Sequence, residues 1–206
     1  MKVAGIYLAA GRSSRMGAPK LSLELAPGSR LGGAALSELA LCGLEPLAVV
    51  VRADDPLDWL PTPAASAKGW RTVVCREAAQ GMSFSLRCGL SAVRPERPDA
   101  VVVALADQPF VAASDVERIV AAYRQHPDVH YVASGYKGAA MPPALFSRKL
   151  FPALEALKGD RGARSIFVSP QYRGMVLETG AAELPMDADT AEDFQKIKRL
   201  WDFKMT

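Results

Sequence analysis

Residues Val3 to Lys20 read VAGIYLAAGRSSRMGAPK, and no other stretch constrains the fold as strongly. The apolar run from Val3 to Ala10 is nearly unbroken. That is the pattern of a strand buried on both faces, not of one with a solvated side. Gly11 ends the run, and a polar loop follows that carries Arg12, Arg15, Gly17 and Lys20. A buried strand opening at its carboxyl end into a cationic, glycine-bearing loop suits a phosphate-bearing ligand. Backbone N–H groups there can surround the phosphate oxygens while the cations neutralise them. Two common phosphate loops are excluded. Gly11 to Gly17 has the wrong spacing for a P-loop, and Gly17 is followed by Ala18. The dinucleotide fingerprint G-x-G-x-x-G fails because position 13 is Ser.

Strand and helix patterns alternate along the rest of the chain, which argues for a parallel-sheet α/β layer. Apolar runs at Leu47–Val51, Trp70–Cys75, Ala100–Leu105, Val129–Ser134 and Tyr172–Leu177 read as strands. Helical spacing covers Leu31–Leu41, with Gly43 as its stop, then Ser83–Val93, a helix to about Gln125, and Leu150–Leu157. Ser83 is placed to cap the second helix, and Ser114 with Glu117 forms a capping-box pattern for the third. Thr190 and Asp193 start a last helix that ends near Trp201. Asp54–Lys68, with three prolines and many small residues, and the glycine- and proline-rich Gly135–Pro143 read as loops.

The 206 residues suffice for one domain with a substantial core, and a single domain over 1–206 is expected. A net charge of +3 is too small to imply nucleic-acid binding, though it does not oppose a small polyanion. Cys42, Cys75 and Cys88 are odd in number and lack a C-x-x-C, so neither a disulfide framework nor a zinc site is read from them. Thiols in a reducing compartment, a start without a cleavable leader pattern and no bilayer-length apolar run point to a cytoplasmic protein without membrane contact. His126 and His130 fall at a helix end and a strand start and are read as structural or surface residues.

Four further segments could carry chemistry. Asp107 follows the apolar Ala100–Leu105 run, at the strand end where open α/β sheets place ligands, and a carboxylate there can hold Mg²⁺. A turn cap before Pro109 is the plainer account. Asp187 and Asp189, two apart, share a side if extended, or simply favour a helix start. Gly81-Met82-Ser83-Phe84-Ser85-Leu86 offers a backbone that can approach a flat base, with hydroxyls for base or ribose, or merely a helix cap. Gly159-Asp160-Arg161-Gly162-Ala163-Arg164 offers guanidinium groups for phosphate, or is a solvated turn.

Leu8 to Lys20 contains L-A-A-G-x-x-x-R-x-G-x-x-K, which resembles the signature of nucleotidyltransferases that activate sugar phosphates and cofactor phosphates. With L-A-D-Q-P at Leu105–Pro109, D-A-D-T-A-E-D at Asp187–Asp193 and G-M-S-F-S-L at Gly81–Leu86, the chain resembles the MobA-like NTP transferase family. It is most similar there to molybdenum cofactor cytidylyltransferases. The resemblance implies a Rossmann-like, glycosyltransferase-A-type (nucleotide-diphospho-sugar transferase) α/β fold, with a mostly parallel mixed sheet flanked by helices. It implies that Leu8, Ala9, Ala10, Gly11, Gln80, Gly81 and Ser83 bind the nucleotide. Arg15 and Lys20 would grip its phosphates. Asp107 and Asp189 would hold Mg²⁺, with Mn²⁺ as the alternative ion, and Asp189 is preferred over Asp187. Pro143, Asp160, Arg161 and Arg164 would face the acceptor. The implied reaction passes CMP from CTP to molybdopterin cofactor, for delivery to a molybdoenzyme or its chaperone. One departure stands out: the subfamily's G-H-P is replaced by Ala140-Met141-Pro142, without His. GTP as donor or a sugar phosphate as acceptor keeps the same chemistry. A dinucleotide-dependent oxidoreductase and a non-catalytic nucleotide sensor are the readings from other classes.

Overall fold

The computed structural model describes residues 1–11, 19–62 and 69–205. Val3–Leu8 forms β1, and every residue of it is buried, as its two-sided apolar pattern requires. The short strands β2 (Glu24–Ala26) and β3 (Ser29–Arg30) pair antiparallel around Pro27-Gly28, with Gly28 at φ +77°. Helix α1 spans Leu31–Leu41 and stops where Gly43 takes φ +65°. Then come β4 (Leu47–Val51), β5 (Arg71–Val74), α2 (Met82–Val93), β6 (Ala100–Leu105) and α3 (Ala113–Gln125). A hairpin of β7 (Tyr131–Tyr136) and β8 (Ala139–Ser147) follows. The chain finishes with α4 (Phe151–Glu155), α5 (Arg164–Phe167), β9 (Gly174–Glu178) and α6 (Ala191–Met205).

Seven strands make one sheet in the order β5-β4-β1-β6-β8-β7-β9. Only β8 runs against the others, pairing antiparallel with both β6 and β7. The carboxyl ends of β1 and β6 therefore emerge side by side, in register from Val3↔Ala100 to Leu8↔Leu105. The strand pleat divides the core in two. Val3 and Tyr7 pack with Leu36 and Leu39 of α1 and Ile119 of α3. Ala4, Ile6 and Leu8 pack with Leu86 and Leu90 of α2 and Leu154 of α4. Gly89 lets α2 lie directly on β1, because a Cβ there would stand 2.4 Å from Ile6 Cγ2. A smaller cluster joins Leu25 and Leu31 to Phe194 and Ile197 of α6. No described helix is long and apolar enough to cross a membrane.

Three local expectations are corrected. Gly135–Pro143 is not a loop but most of the β7–β8 hairpin, turned at Lys137-Gly138. Its prolines sit where the register jumps, Ala133 pairing Ala144 and Ser134 pairing Met141, so Pro142 and Pro143 face no ladder partner that needs an N–H. Ser114 does not cap α3. Ala112 is the N-cap residue, and its N–H donates to Asp115 Oδ2 at 3.0 Å while Glu38 of α1 accepts from the Ala113 N–H at 2.9 Å. Ser83 does not cap α2 either: Gly81 is the N-cap, and the Ser83 hydroxyl is buried inside the first turn without a hydrogen-bond partner among the described residues.

Candidate active site

Lys20 opens a short 3₁₀ turn (Lys20–Ser22) behind the first loop and is 6% exposed. A lysine so buried requires a counter-charge. Nζ donates to Asp107 Oδ2 at 2.7 Å and to Asp189 Oδ1 at 3.4 Å. The three residues come from remote parts of the chain, and the backbone explains why they meet. The Ala106 N–H donates to Leu8 O at 3.1 Å, which carries the β1–β6 ladder one step further and leaves Asp107 at the sheet rim. Ala188 is fully buried, and its N–H donates to Asp107 O at 3.2 Å, which holds the Asp187–Asp189 segment beside the strand end. Thr190 and Asp193 then cap α6 reciprocally: Asp193 Oδ2 accepts from the Thr190 N–H at 3.0 Å, and Thr190 Oγ1 from the Asp193 N–H at 3.1 Å.

The electrostatics follow from this grouping. Burial opposes the Lys20 charge, but attraction and hydrogen bonds from Asp107 and then Asp189 outweigh it, and its pKa is raised. The Asp187 carboxyl is pushed up by burial first and then by the charges of Asp107 and Asp189, with Lys20 acting in opposition. Among the described residues, the carboxyl groups of Asp107, Asp187 and Asp189 gather around the Lys20 ammonium. A divalent cation with a preference for hard oxygen ligands suits such a group of carboxylates, and Asp107 and Asp189 could hold it.

Asp107 also borders a cleft of about 400 Å³ that opens over the sheet rim. Leu8, Ala10 and Gly11 form its floor, and a Cβ on Gly11 would meet no atom of the described residues within 4 Å. Ala9 points the other way, into the α1-side core. The far wall is the turn leading into α2, with Ala78, Ala79, Gly81 and Met82, joined by Ser85. Gly81 holds φ +124° there, and a Cβ on it would lie 2.8 Å from the Gly159 carbonyl carbon. Only glycine combines that backbone angle with so close an approach. Asp160 closes the cleft and accepts from the Met82 N–H at 3.3 Å.

Of the expected nucleotide and phosphate residues, Leu8, Ala10, Gly11, Gly81 and Asp107 line this cleft, and Lys20 and Asp189 flank Asp107. Gln80 is exposed on the same turn without lining the cleft, and Ser83 is buried behind it. Ser85, two residues on, provides the hydroxyl at the cleft. Arg15, like Arg12, lies outside the described residues. Of the acceptor residues only Asp160 borders the cleft. Pro143 is buried at the β8 bulge, Arg164 is exposed at the start of α5, and the Arg161 side chain is outside the description. Sequence reasoning missed Ala78, Ala79, Met82 and Leu105, apolar residues with no chemical signature. It also ranked Asp187 below Asp189, although both belong to one electrostatic group.

Residues 5–174 match the family model described as the MobA-like NTP transferase domain. Purine catabolism protein PucB of Bacillus subtilis (strain 168) is 34% identical over 200 residues, covering 95% of each chain. Among solved structures, the homologue of Mycobacterium tuberculosis Rv0371c from Mycobacterium sp. strain JC1 superposes with a TM-score of 0.81 at 27% identity, covering 98% of each chain. Rv0371c itself, solved in complex with manganese, gives 0.76 at 26% identity, covering 97% of this chain and 99% of its own.

Proposed function

The chain belongs to the MobA-like NTP transferase family, and on that premise we propose that this nucleotidyltransferase passes CMP from CTP to the terminal phosphate of molybdopterin cofactor. The observation that carries the reading is the Lys20 ammonium held between Asp107 and Asp189 at the rim of a cleft floored by Leu8, Ala10 and Gly11. The G-M-S-F-S-L segment on the facing wall supports cytosine as the base.

An acceptor phosphate is already anionic near neutral pH and requires no base to activate it. One of its oxygens bonds to the α-phosphorus in line as the bond from that phosphorus to the β-phosphate bridging oxygen breaks. The departing electron pair leaves with pyrophosphate. The chain's contribution is to position the reactants and neutralise charge. The Leu8–Gly11 floor and Gly81 bring backbone against the nucleotide, and Ser85 offers a hydroxyl there. Lys20, with Arg15 earlier in the chain, offsets charge growing on the pyrophosphate. Asp107 and Asp189 would hold a divalent cation, Mg²⁺ or Mn²⁺, which supplies Lewis-acid polarisation of the phosphates when bound. The manganese in the Rv0371c complex supports such a centre. The name of the B. subtilis relative, a purine catabolism protein, supports a place for the product in purine breakdown.

A second reading keeps the chemistry and changes the acceptor. It is favoured by two observations: Pro143 and Arg164 do not line the cleft, and Met141, not His, stands immediately before the β8 prolines. A sugar phosphate, or GTP as donor, then takes the place of the pair above.

The test is a panel of CTP, GTP, ATP and UTP with Mg²⁺, read by thermal shift and by pyrophosphate release with molybdopterin cofactor or sugar phosphates. Preferential stabilisation and turnover with CTP and the cofactor is expected, together with loss of about 10²–10³-fold in turnover on Asp107→Ala while the fold is kept. Near-normal pyrophosphate release by that variant removes the metal role, and turnover confined to sugar phosphates selects the second reading.

A further inference from the structure

Away from Lys20, Asp107 and Asp189, one group of metal-binding side chains stands out among the described residues. The ligand atoms of Cys75, Glu77 and Cys88 lie within 4.8 Å of one another. The residues sit on the far side of the turn that walls the cleft. Cys75 follows β5 and is buried at 1% exposure, its N–H donating to Val51 O at 2.9 Å. Cys88 is half-buried on α2, and Glu77 is exposed between them. The spacing of the two cysteines, thirteen positions apart, matches no C-x-x-C pattern, so the group emerges only in the folded chain.

We propose that Cys75, Cys88 and Glu77 form a second metal site, distinct from the hard-oxygen centre at Asp107, which takes a borderline divalent cation of the zinc class. Two thiolates and a carboxylate make a donor set that suits Zn²⁺ and is poor for Mg²⁺. Tetrahedral zinc keeps its donors roughly 3.3–3.8 Å apart, so modest side-chain rotation brings the three to coordination distance and leaves the fourth position to water. Two of the three donors are on regular or buried backbone, which lowers the ordering cost of binding.

The site also has a route to the cleft. The Ala78 N–H donates to Cys75 O at 3.3 Å, and the Gln80 N–H donates to Glu77 O at 2.9 Å. Ala78, Ala79 and Gly81 line the cleft. A metal that clamps Cys75 and Glu77 to α2 therefore stiffens the wall against which the nucleotide is proposed to lie. The proposal does not depend on which nucleotide or acceptor is used.

The test loads the reduced, metal-free full chain with Co²⁺ and Zn²⁺. One Co²⁺ per chain is expected to give a thiolate-to-metal charge-transfer band, displaced by Zn²⁺ and unaffected by excess Mg²⁺ or by Asp107→Asn. Cys88→Ser abolishes the band. Glu77→Gln alters an exposed position that folding does not require, and it weakens Zn²⁺ by at least the roughly 10–100-fold that even outer-shell partners are worth. Absence of a thiolate band in the reduced protein overturns the proposal. So does Zn²⁺ affinity unchanged in both variants, or a Cys75–Cys88 disulfide whose reduced form takes up no metal.

Discussion

Replacing Lys20 with methionine keeps the aliphatic stem and removes the charge that joins Asp107 to Asp189. The ammonium lies 2.7 Å from one carboxylate and 3.4 Å from the other. At an effective dielectric constant of about 20 the attractions are on the order of 6 and 5 kcal/mol before desolvation is counted. The Asp189 side chain is 48% exposed, so water screens its share to below about 1 kcal/mol. The Asp107 side chain is 22% exposed, and stranding a fully buried partner costs about 3–5 kcal/mol. A net loss of about 1–3 kcal/mol remains, or roughly 2–12 °C in Tm for a chain of this size. The sign of the pH dependence follows from the raised Lys20 pKa. A raised value means that the stabilisation is fully present below the ordinary lysine value of 10.5 and is lost as pH rises through the higher folded value. The gap between wild type and variant should therefore stay level across neutral pH and close only in strong alkali. The variant leaves two carboxylates facing each other without the ammonium, so Mg²⁺ without nucleotide should raise its Tm more than it raises that of the wild type. Turnover should nonetheless fall about 10²–10³-fold, because the metal does not replace the cation on the departing pyrophosphate. Differential scanning fluorimetry at low salt, with and without Mg²⁺, reads the first two effects. Equal melting of both proteins with an equal response to Mg²⁺ would refute the shared-ammonium account.

Asp187→Asn should stabilise the protein at neutral pH. The native Asp187 pKa is raised by burial and by its acidic neighbours, so its contribution is best below the ordinary 3.8 and declines as pH climbs through the folded value; melting curves from pH 3 to 8 should show the variant's advantage vanish in acid, and an advantage independent of pH contradicts the assignment. Gly81→Ala places a Cβ at φ +124°, 2.8 Å from the Gly159 backbone, and should cost about 1–3 kcal/mol and weaken nucleotide binding; calorimetric affinity equal to wild type would show that the turn does not touch the ligand. Gly89→Ala drives a Cβ against Ile6 at 2.4 Å and Val50 at 3.0 Å, and should lower stability by about 1–3 kcal/mol with the nucleotide preference unchanged; denaturant melts showing no loss would mean that α2 can back away from β1.

Much of the sheet could be read directly from the chain because its central strands are buried on both faces. β1, β4 and β6 carry so little polarity that only a covered parallel sheet accommodates them. Thr190 with Asp193 was equally readable, since a capping box closes within four residues. Expectations failed where a distant partner decided the outcome. Glycine and proline made Gly135–Pro143 resemble a loop, yet the end of β7 pairs there with the start of β8, Gly135 with Ala140 and Tyr136 with Ala139. Glu38 of α1, not Ser114, satisfies the amide at the start of α3. Gly81 holds an angle that Ser83 cannot serve as a cap, so the serine hydroxyl turned inward.

The amino-acid sequence by itself determined the strands, their two-sided burial and the placing of Gly11 and Asp107 at strand ends, because hydrophobic periodicity and turn chemistry act over a few residues. Only the tertiary structure decided that Lys20 stands between Asp107 and Asp189, that Asp187 feels both, and that Cys75, Glu77 and Cys88 meet behind the cleft. Those relations depend on strand order and on helix placement over the sheet, and charges remote along a chain interact only once a shared core has brought them within a few ångströms.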